Sequence, residues 1–244
     1  MKTIKVRGLI LREFEAGESD KRLLVLCKGQ GRLMVYARGA RKPLSKFMAA
    51  AQIFTYADFV LAKGPGFYSL TQADIIESFY PLREDYDRLM AAYKMADVCD
   101  KTLWDNIESD DLMHLLLKSL SILAKGQVSP RQALSVFLLR FFDVYGLRPQ
   151  TDACVICDIP NFNSDKIMLL KEGLACASHN LSTHQPPSVS SIFSSIKISN
   201  FTLLAFKHIL DSNLSQAFQF NATENVLNEL HNATSFLWNC HFEQ

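Results

Sequence analysis

Apolar and polar positions alternate with a period of two through the first 80 residues. Ile4 and Val6 alternate with Lys5 and Arg7 ahead of Leu9-Ile10-Leu11, and the apolar run Leu23 to Cys27 stops at Gly29-Gln30-Gly31. Leu33, Val35 and Ala37 then resume the alternation. A longer run from Ile53 to Ala62 is rich in β-branched and aromatic residues and breaks at Gly64-Pro65-Gly66, after which Phe67 to Thr71 can return as its hairpin partner. Glycine supplies the positive φ that such tight reversals need. About five strands in so short a stretch suit a small closed barrel on the scale of an OB-fold, a sheet whose face and loops bind oligonucleotides. Another small barrel or sandwich would share the same strand count.

Beyond Tyr80 the period lengthens to that of a helix. Leu89, Ala92, Tyr93, Ala96 and Val98 recur at helical spacing up to about Leu103. A second helix is expected from Asp111 to Lys125, with Leu112, Leu115, Leu116, Leu120 and Leu123 on one stripe, Asp110 and Asp111 at its positive end and Gly126 as its stop. Ser129-Pro130 opens a third, which runs to Tyr145 and ends at Gly146. Its stripe of Leu134, Phe137, Leu138, Phe141 and Tyr145 reads as core. Residues 182–195 form a polar, Ser- and Pro-rich linker, and residues 199–210 and 223–238 read as amphipathic helices. The expected fold is therefore α+β, a five-stranded barrel over residues 1–80 followed by a mainly helical domain over 81–150 and 182–244. A small module over 151–181 interrupts it.

That interruption carries the clearest chemical signal. Cys154 and Cys157 form one C-x-x-C pair, and eighteen residues later Cys176 and His179 form a second pair with the same spacing. Each pair places two soft donors on one tight turn, and two such turns close a tetrahedron around Zn²⁺. One structural zinc per chain is expected, with His184 as the alternative fourth ligand. The segment between the pairs has β-like pieces around Ile167 to Leu170 but too few apolar residues to hold itself together. Cys27, Cys99 and Cys240 read as reduced, mostly buried thiols.

Charge separates the two halves. Residues 1–80 hold 13 Lys and Arg against 7 Asp and Glu, whereas residues 81–244 hold 13 against 18. The positive field is densest in Ala37 to Lys46, where Arg38, Arg41, Lys42 and Lys46 follow Arg32 with no intervening carboxylate. Such a field suits a polyanion, since Lys and Arg that neutralise phosphates release condensed counterions. Arg7, Arg12 and Lys5 could extend it if their strand faces the same way. Phe14, Tyr36 and Phe47 would either stack on bases or fill the barrel. No run of about 18 apolar residues suggests a membrane span, and charges interrupt the N-terminal stretch too often for a signal peptide, so a cytoplasmic protein is expected.

The order of these pieces resembles the RecO family of bacterial DNA repair and recombination mediators. Gly8-Leu9-Ile10-Leu11-Arg12, then Glu18-Ser19-Asp20-Lys21, then the whole of Ala37 to Lys46 follow the family's opening pattern and basic signature. The Leu115-Leu116-Leu117 stretch and Phe137 to Leu147, with Pro149 running into Cys154, follow its helical domain. The resemblance departs at His179, where many members carry Cys, and at residues 235–244, which match the family's basic tail poorly. It implies an N-terminal OB-fold, a helical domain interrupted by a zinc module, and binding to single- and double-stranded DNA. It further implies annealing of complementary strands, RecR as partner, and help in loading RecA on DNA coated by single-stranded-DNA-binding protein, in association with the nucleoid. The acidic, apolar C-terminal tail of that coating protein would need an apolar pocket edged by a cation, for which Arg131 and Arg140 on the third helix are candidates.

Two other classes compete. A zinc-dependent nucleic-acid enzyme of the deaminase type needs an H-x-E ahead of its cysteines, whereas His241-Phe242-Glu243 lies after them. Neither H-E-x-x-H nor a phosphate-binding G-x-x-x-x-G-K-S/T occurs. A zinc-containing transcription regulator would place its Arg, Asn or Gln on a recognition helix, whereas the basic residues here cluster among strands. A protein without catalytic residues is the expectation.

Overall fold

The computed structural model describes residues 2–105, 107–160, 167–179 and 195–243. The chain divides into two compact units, Met1–Gly126 and Gln127–Gln244.

In the first unit five strands, β1 (Thr3–Ala16), β2 (Asp20–Cys27), β3 (Gly31–Ala37), β4 (Tyr56–Lys63) and β5 (Tyr68–Glu77), close a barrel in the order β1-β2-β3-β5-β4. All pairings are antiparallel except β3 with β5, where Val35 meets Tyr68 and Tyr36 meets Ser69. This is the five-stranded Greek-key barrel of an OB-fold. Closure depends on β1, which pairs with β4 over Thr3 to Leu9 and with β2 over Gly8 to Ala16, its register shifting between Ile10 and Arg12. At the crossing point a Cβ on Gly8 would lie 2.7 Å from Val25 Cγ1 and 2.8 Å from the Leu26 carbonyl, so only glycine lets the strands approach. Inward residues Val6, Ile10, Leu23, Val25, Leu33, Val35, Phe59, Leu61 and Leu70 fill the interior.

The strand expected from Ile53 starts three residues later. Ile53 to Thr55 instead form a turn in which buried Phe54 takes φ 64°, and reciprocal bonds between Ile10 and the Phe54 amide and Thr55 carbonyl latch that turn to β1. Strand β5 in turn runs past Thr71 to Glu77 along β4. Helix α1 (Tyr86–Thr102) begins earlier than its apolar stripe because Asp85 caps it, accepting from the Arg88 amide at 3.0 Å. Helix α2 (Asp110–Ala124) closes this unit.

In the second unit α3 (Pro130–Val144) starts as expected, with Ser129 Oγ accepting from the Gln132 amide and Pro130 in the first turn. Helices α4 (Asn200–Asp211) and α5 (Glu224–Phe242) pack with it over the buried rings of Phe137, Phe141, Phe142 and Phe206. A three-stranded sheet β7-β6-β8 joins Leu174–Cys176, Ile167–Leu169 and Ile196–Ile198, all antiparallel. Strand β8 is too short to declare itself in the hydropathy pattern, yet it covers the open edge of β6 and leads directly into α4. Most of the polar linker lies outside the described residues.

Candidate nucleic-acid interface and metal centre

The basic stretch leaves β3 and crosses to β4 as a chain of turns pinned at both sides. The Gly39 amide donates to Asp20 Oδ1 at 2.7 Å and the Arg41 amide to the Ser19 carbonyl at 2.9 Å, fastening the loop to the β1–β2 turn. Within it Lys42 N bonds Gly39 O at 3.1 Å and Ser45 N bonds Lys42 O at 3.0 Å, while Ala40, Phe47 and Ala51 root the loop in the barrel core. Its four cations have different fates. Arg38 and Lys42 are exposed and make no ion pair among the described residues. Arg41 meets Glu15 at 3.0 Å and the Gly17 carbonyl at 3.4 Å. Lys46 Nζ donates to the Thr71 carbonyl at 3.0 Å and lies 4.8 Å from the centroid of the Phe47 ring.

Three of the arginines on the strands are spent inside the unit, while Lys5 on β1 and Lys63 on β4 are exposed with no ion pair among the described residues. Arg7 makes a bidentate pair with Asp58 at 2.7 and 2.8 Å. The hydrogen bond and charge of this pair hold Asp58 below the usual carboxylate range and Arg7 above its own. Arg12 pairs with Asp97 and, at 2.5 Å, with Asp100, and Arg32 pairs with Asp100 at 2.8 Å and Asp105 at 2.9 Å. These bonds stitch α1 and the segment after it to the barrel. Among the three aromatic candidates, Phe47 is barrel core and not a stacking surface. Tyr36 is half-buried edge-on to Phe67 at 5.4 Å. Phe14 is exposed with the Arg22 guanidinium 5.9 Å from its centroid.

In the second unit the ligand atoms of Cys154, Cys157, Cys176 and His179 lie within 4.8 Å of one another. Backbone geometry assembles them. The Val155 amide donates to the Leu174 carbonyl at 2.9 Å, tying the first knuckle to β7, and the His179 amide donates to the Cys176 carbonyl at 3.2 Å, folding the second. Behind them a Cβ on Gly173, at φ 150°, would fall 2.4 Å from the Gln150 carbonyl, so this close crossing also requires glycine. Burial would raise the Cys154 thiol, but the amides of Cys176, Cys157 and Ile156 and the Cys157 thiol bring it down to about 6. Cys176 is instead pushed up to about 11 by burial and by the two neighbouring sulfurs. Three crowded sulfurs and the His179 Nε2, buried with no hydrogen-bond partner among the described residues, form a donor set that could hold a metal ion. A small cluster of Cys154, Leu170 and Ala175 backs it, with Val155 and Met168 packed against that cluster. The alternative ligand His184 lies outside the described residues.

Arg131 and Arg140 sit at different places on α3. Arg131 pairs with Glu224 at 2.5 Å and bonds Asn228, both on α5. Arg140 donates to the Leu210 carbonyl at 2.8 Å and meets Asp143 at 3.3 Å, so it satisfies the carbonyl end of α4. Close in sequence to Glu224, a groove of about 450 Å³ is lined by Phe201, Leu204, His208, Phe220, Thr223 and Val226.

Comparison with known proteins decides the family. The family model for the recombination protein O N terminal matches residues 1–79, and that for the recombination protein O C terminal matches residues 83–244. The chain belongs to the RecO family. A relative named DNA repair protein RecO from Acetivibrio thermocellus is 33% identical over 230 residues, covering 94% of this chain and 88% of its own. Another of the same name from Alkaliphilus metalliredigens is 31% identical over 213 residues, covering 87% and 83%. In this RecO-family chain no helix among the described residues is long and apolar enough to cross a membrane. Two of the exposed apolar features among the described residues bear on the site. One is the pair Phe201 and Leu204, three apart on the outer face of α4, and the other is Leu44 at the tip of the basic loop. The first could have been found as apolar residues off the core stripe of α4, and the second as a leucine between Lys42 and Lys46.

Proposed function

We propose that this RecO-family protein is a non-catalytic DNA repair and recombination mediator that binds single- and double-stranded DNA through the loop after β3 and anneals complementary strands. The observation that carries this reading is the contrast within one barrel. Arg38 and Lys42 stay exposed on a pinned loop with no ion pair among the described residues, while Arg7, Arg12 and Arg32 are consumed by carboxylates. Annealing makes and breaks no covalent bond. It needs a surface that lowers phosphate repulsion between two strands and leaves their bases free to pair, which cations on a loop provide. Arg41 and Lys46 are secondary contacts, and Arg7 and Arg12 contribute only if their pairs open.

Zinc is the metal we assign to Cys154, Cys157, Cys176 and His179, because thiolate and imidazole donors in a compact set of four suit it. Four protein ligands leave no coordination position for a catalytic water, so the site's role is to hold the module together. A transcription regulator is disfavoured because Arg38 and Lys42 lie on a loop and not along a helix face.

The groove beside α4 and the start of α5 is our candidate for the apolar tail of single-stranded-DNA-binding protein, with Arg131 as the neighbouring cation that its carboxylates would draw from Glu224. RecR is the expected direct partner, and RecA loading would follow indirectly, in the cytoplasm at the nucleoid. The test is annealing of complementary strands coated by single-stranded-DNA-binding protein, with metal content measured on the same preparation. Accelerated annealing with zinc near one per chain supports the assignment, and no acceleration over buffer rejects it.

A further inference from the structure

Leu44 is 99% exposed, the most exposed large apolar side chain among the described residues. It is also held in place. Lys42, Pro43, Leu44 and Ser45 form a turn closed by the Ser45 amide on the Lys42 carbonyl at 3.0 Å, with Pro43 fixing the position before the leucine. Leu44 does not take positive φ, as a type I turn requires. The next residues anchor the turn: the Phe47 amide bonds Ser45 Oγ at 3.2 Å, Phe47 is buried, and Lys46 is tied to the Thr71 carbonyl. The result is a convex apolar knob with Lys42 in the same turn and Arg38 on the same loop, both exposed and without an ion pair among the described residues. A ligand that matches it must be anionic at the flanks and must open an apolar gap at the centre.

We propose that Leu44 is a wedge that enters DNA between bases whose stacking is already interrupted, at a junction of single and double strand, while Lys42 and Arg38 hold the flanking phosphates. The proposal rests on the DNA-binding reading above and specifies what the loop recognises. Nucleic acid accepts a convex apolar side chain by unstacking one base step, and Leu, Met and Pro serve this way in other proteins. An intact step resists opening, so a single leucine goes where a strand end or mismatch has done part of the work. An acidic peptide would instead seek a concave pocket. An anionic membrane needs more buried apolar area than one leucine supplies. Because the turn is already fixed, ordering the wedge on binding costs little further entropy.

The experiment uses the full chain and 2-aminopurine placed either at a single-strand/duplex junction or deep in the duplex. Wild-type protein should raise the junction fluorescence and leave the internal position unchanged. Leu44→Ala, a surface change, should remove most of that rise while shifting anisotropy-measured affinity by less than about threefold, since phosphate contacts carry most of the affinity. Leu44→Phe should restore the rise. Equal fluorescence from wild type and Leu44→Ala, with both bound to DNA, overturns the wedge and leaves the DNA reading standing. No DNA binding by wild type overturns both. Leu44-dependent pelleting with phosphatidylglycerol vesicles, without a Leu44-dependent fluorescence change, overturns the wedge in favour of a membrane contact.

Discussion

Two cationic regions of the same barrel have opposite electrostatic fates. On the strand side, Arg12 and Arg32 reach carboxylates on α1 and just beyond it, and Arg7 reaches Asp58 on the neighbouring strand. On the loop between β3 and β4, Arg38 and Lys42 reach none among the described residues. The difference teaches that a count of charges overstates the field a partner meets, because fold-internal pairs cancel part of it before any ligand arrives. Of what remains, Arg38 and Lys42 share one loop that backbone bonds fasten to the β1–β2 turn, and Lys5 and Lys63 stay exposed on the strands.

The strongest way to sharpen the contrast is to separate the open metal donors from the open cations. Removing the metal with a chelator, or substituting Cys154→Ser, should unravel the β6–β8 sheet, because structural zinc supplies on the order of 10 kcal/mol in small peptides. Hydrogen exchange should show that loss while the Arg38 and Lys42 contribution to DNA binding persists. Next in size, Arg32→Ala should lower stability by about 2 kcal/mol in urea titration, since its partly buried guanidinium satisfies Asp100 and Asp105 together. Arg38→Ala should leave the midpoint unchanged. If both arginines behave alike, the division into spent and free cations is broken.

Glu229 provides a smaller test inside the second unit. Its carboxylate accepts from the Ser199 amide at 2.9 Å, from Ser199 Oγ at 2.6 Å and from Thr202 Oγ1. Burial opposes ionisation there, but these donors hold the group below the ordinary glutamate value. A carboxyl depressed in the folded state stabilises fully above its unfolded pKa, and that stability is lost as pH falls through the folded value. Glu229→Ala should therefore cost about 1 to 2 kcal/mol at neutral pH and progressively less in acid, measured by thermal melts across pH. The smallest effect is expected at Arg41, already shared with Glu15. Arg41→Ala should weaken DNA binding by about twofold at most, less than Lys42→Ala, because a rim charge with an existing partner has less to give.

Much of this was legible before any coordinates. Gly29-Gln30-Gly31 and Gly64-Pro65-Gly66 mark the reversals that bound strands, Ser129-Pro130 starts α3, and the equal spacing of the Cys154 and Cys176 pairs announces a donor set that could hold a metal ion, because each of these signals is local. The partners of Arg12 and Arg32 lie some 70 to 90 residues away along the chain, and nothing in the spacing reveals which carboxylate the fold will bring near. Phe47 sits in a polar loop by sequence yet fills the barrel. Phe54 takes positive φ inside what the hydropathy pattern suggests is a strand, because the Ile10 backbone latches it. Tertiary bonds decided each of these.

The measurement that tests the central contrast most directly is the salt dependence of DNA affinity for three proteins: wild type, Arg38→Ala/Lys42→Ala and Arg7→Ala/Arg12→Ala. Each phosphate contact contributes about 0.7 to 0.9 to the slope of log affinity against log salt. The loop variant should lose about 1.5 from that slope, and the strand variant should keep the wild-type value. A slope that stays at wild type in the loop variant and falls in the strand variant would contradict the account.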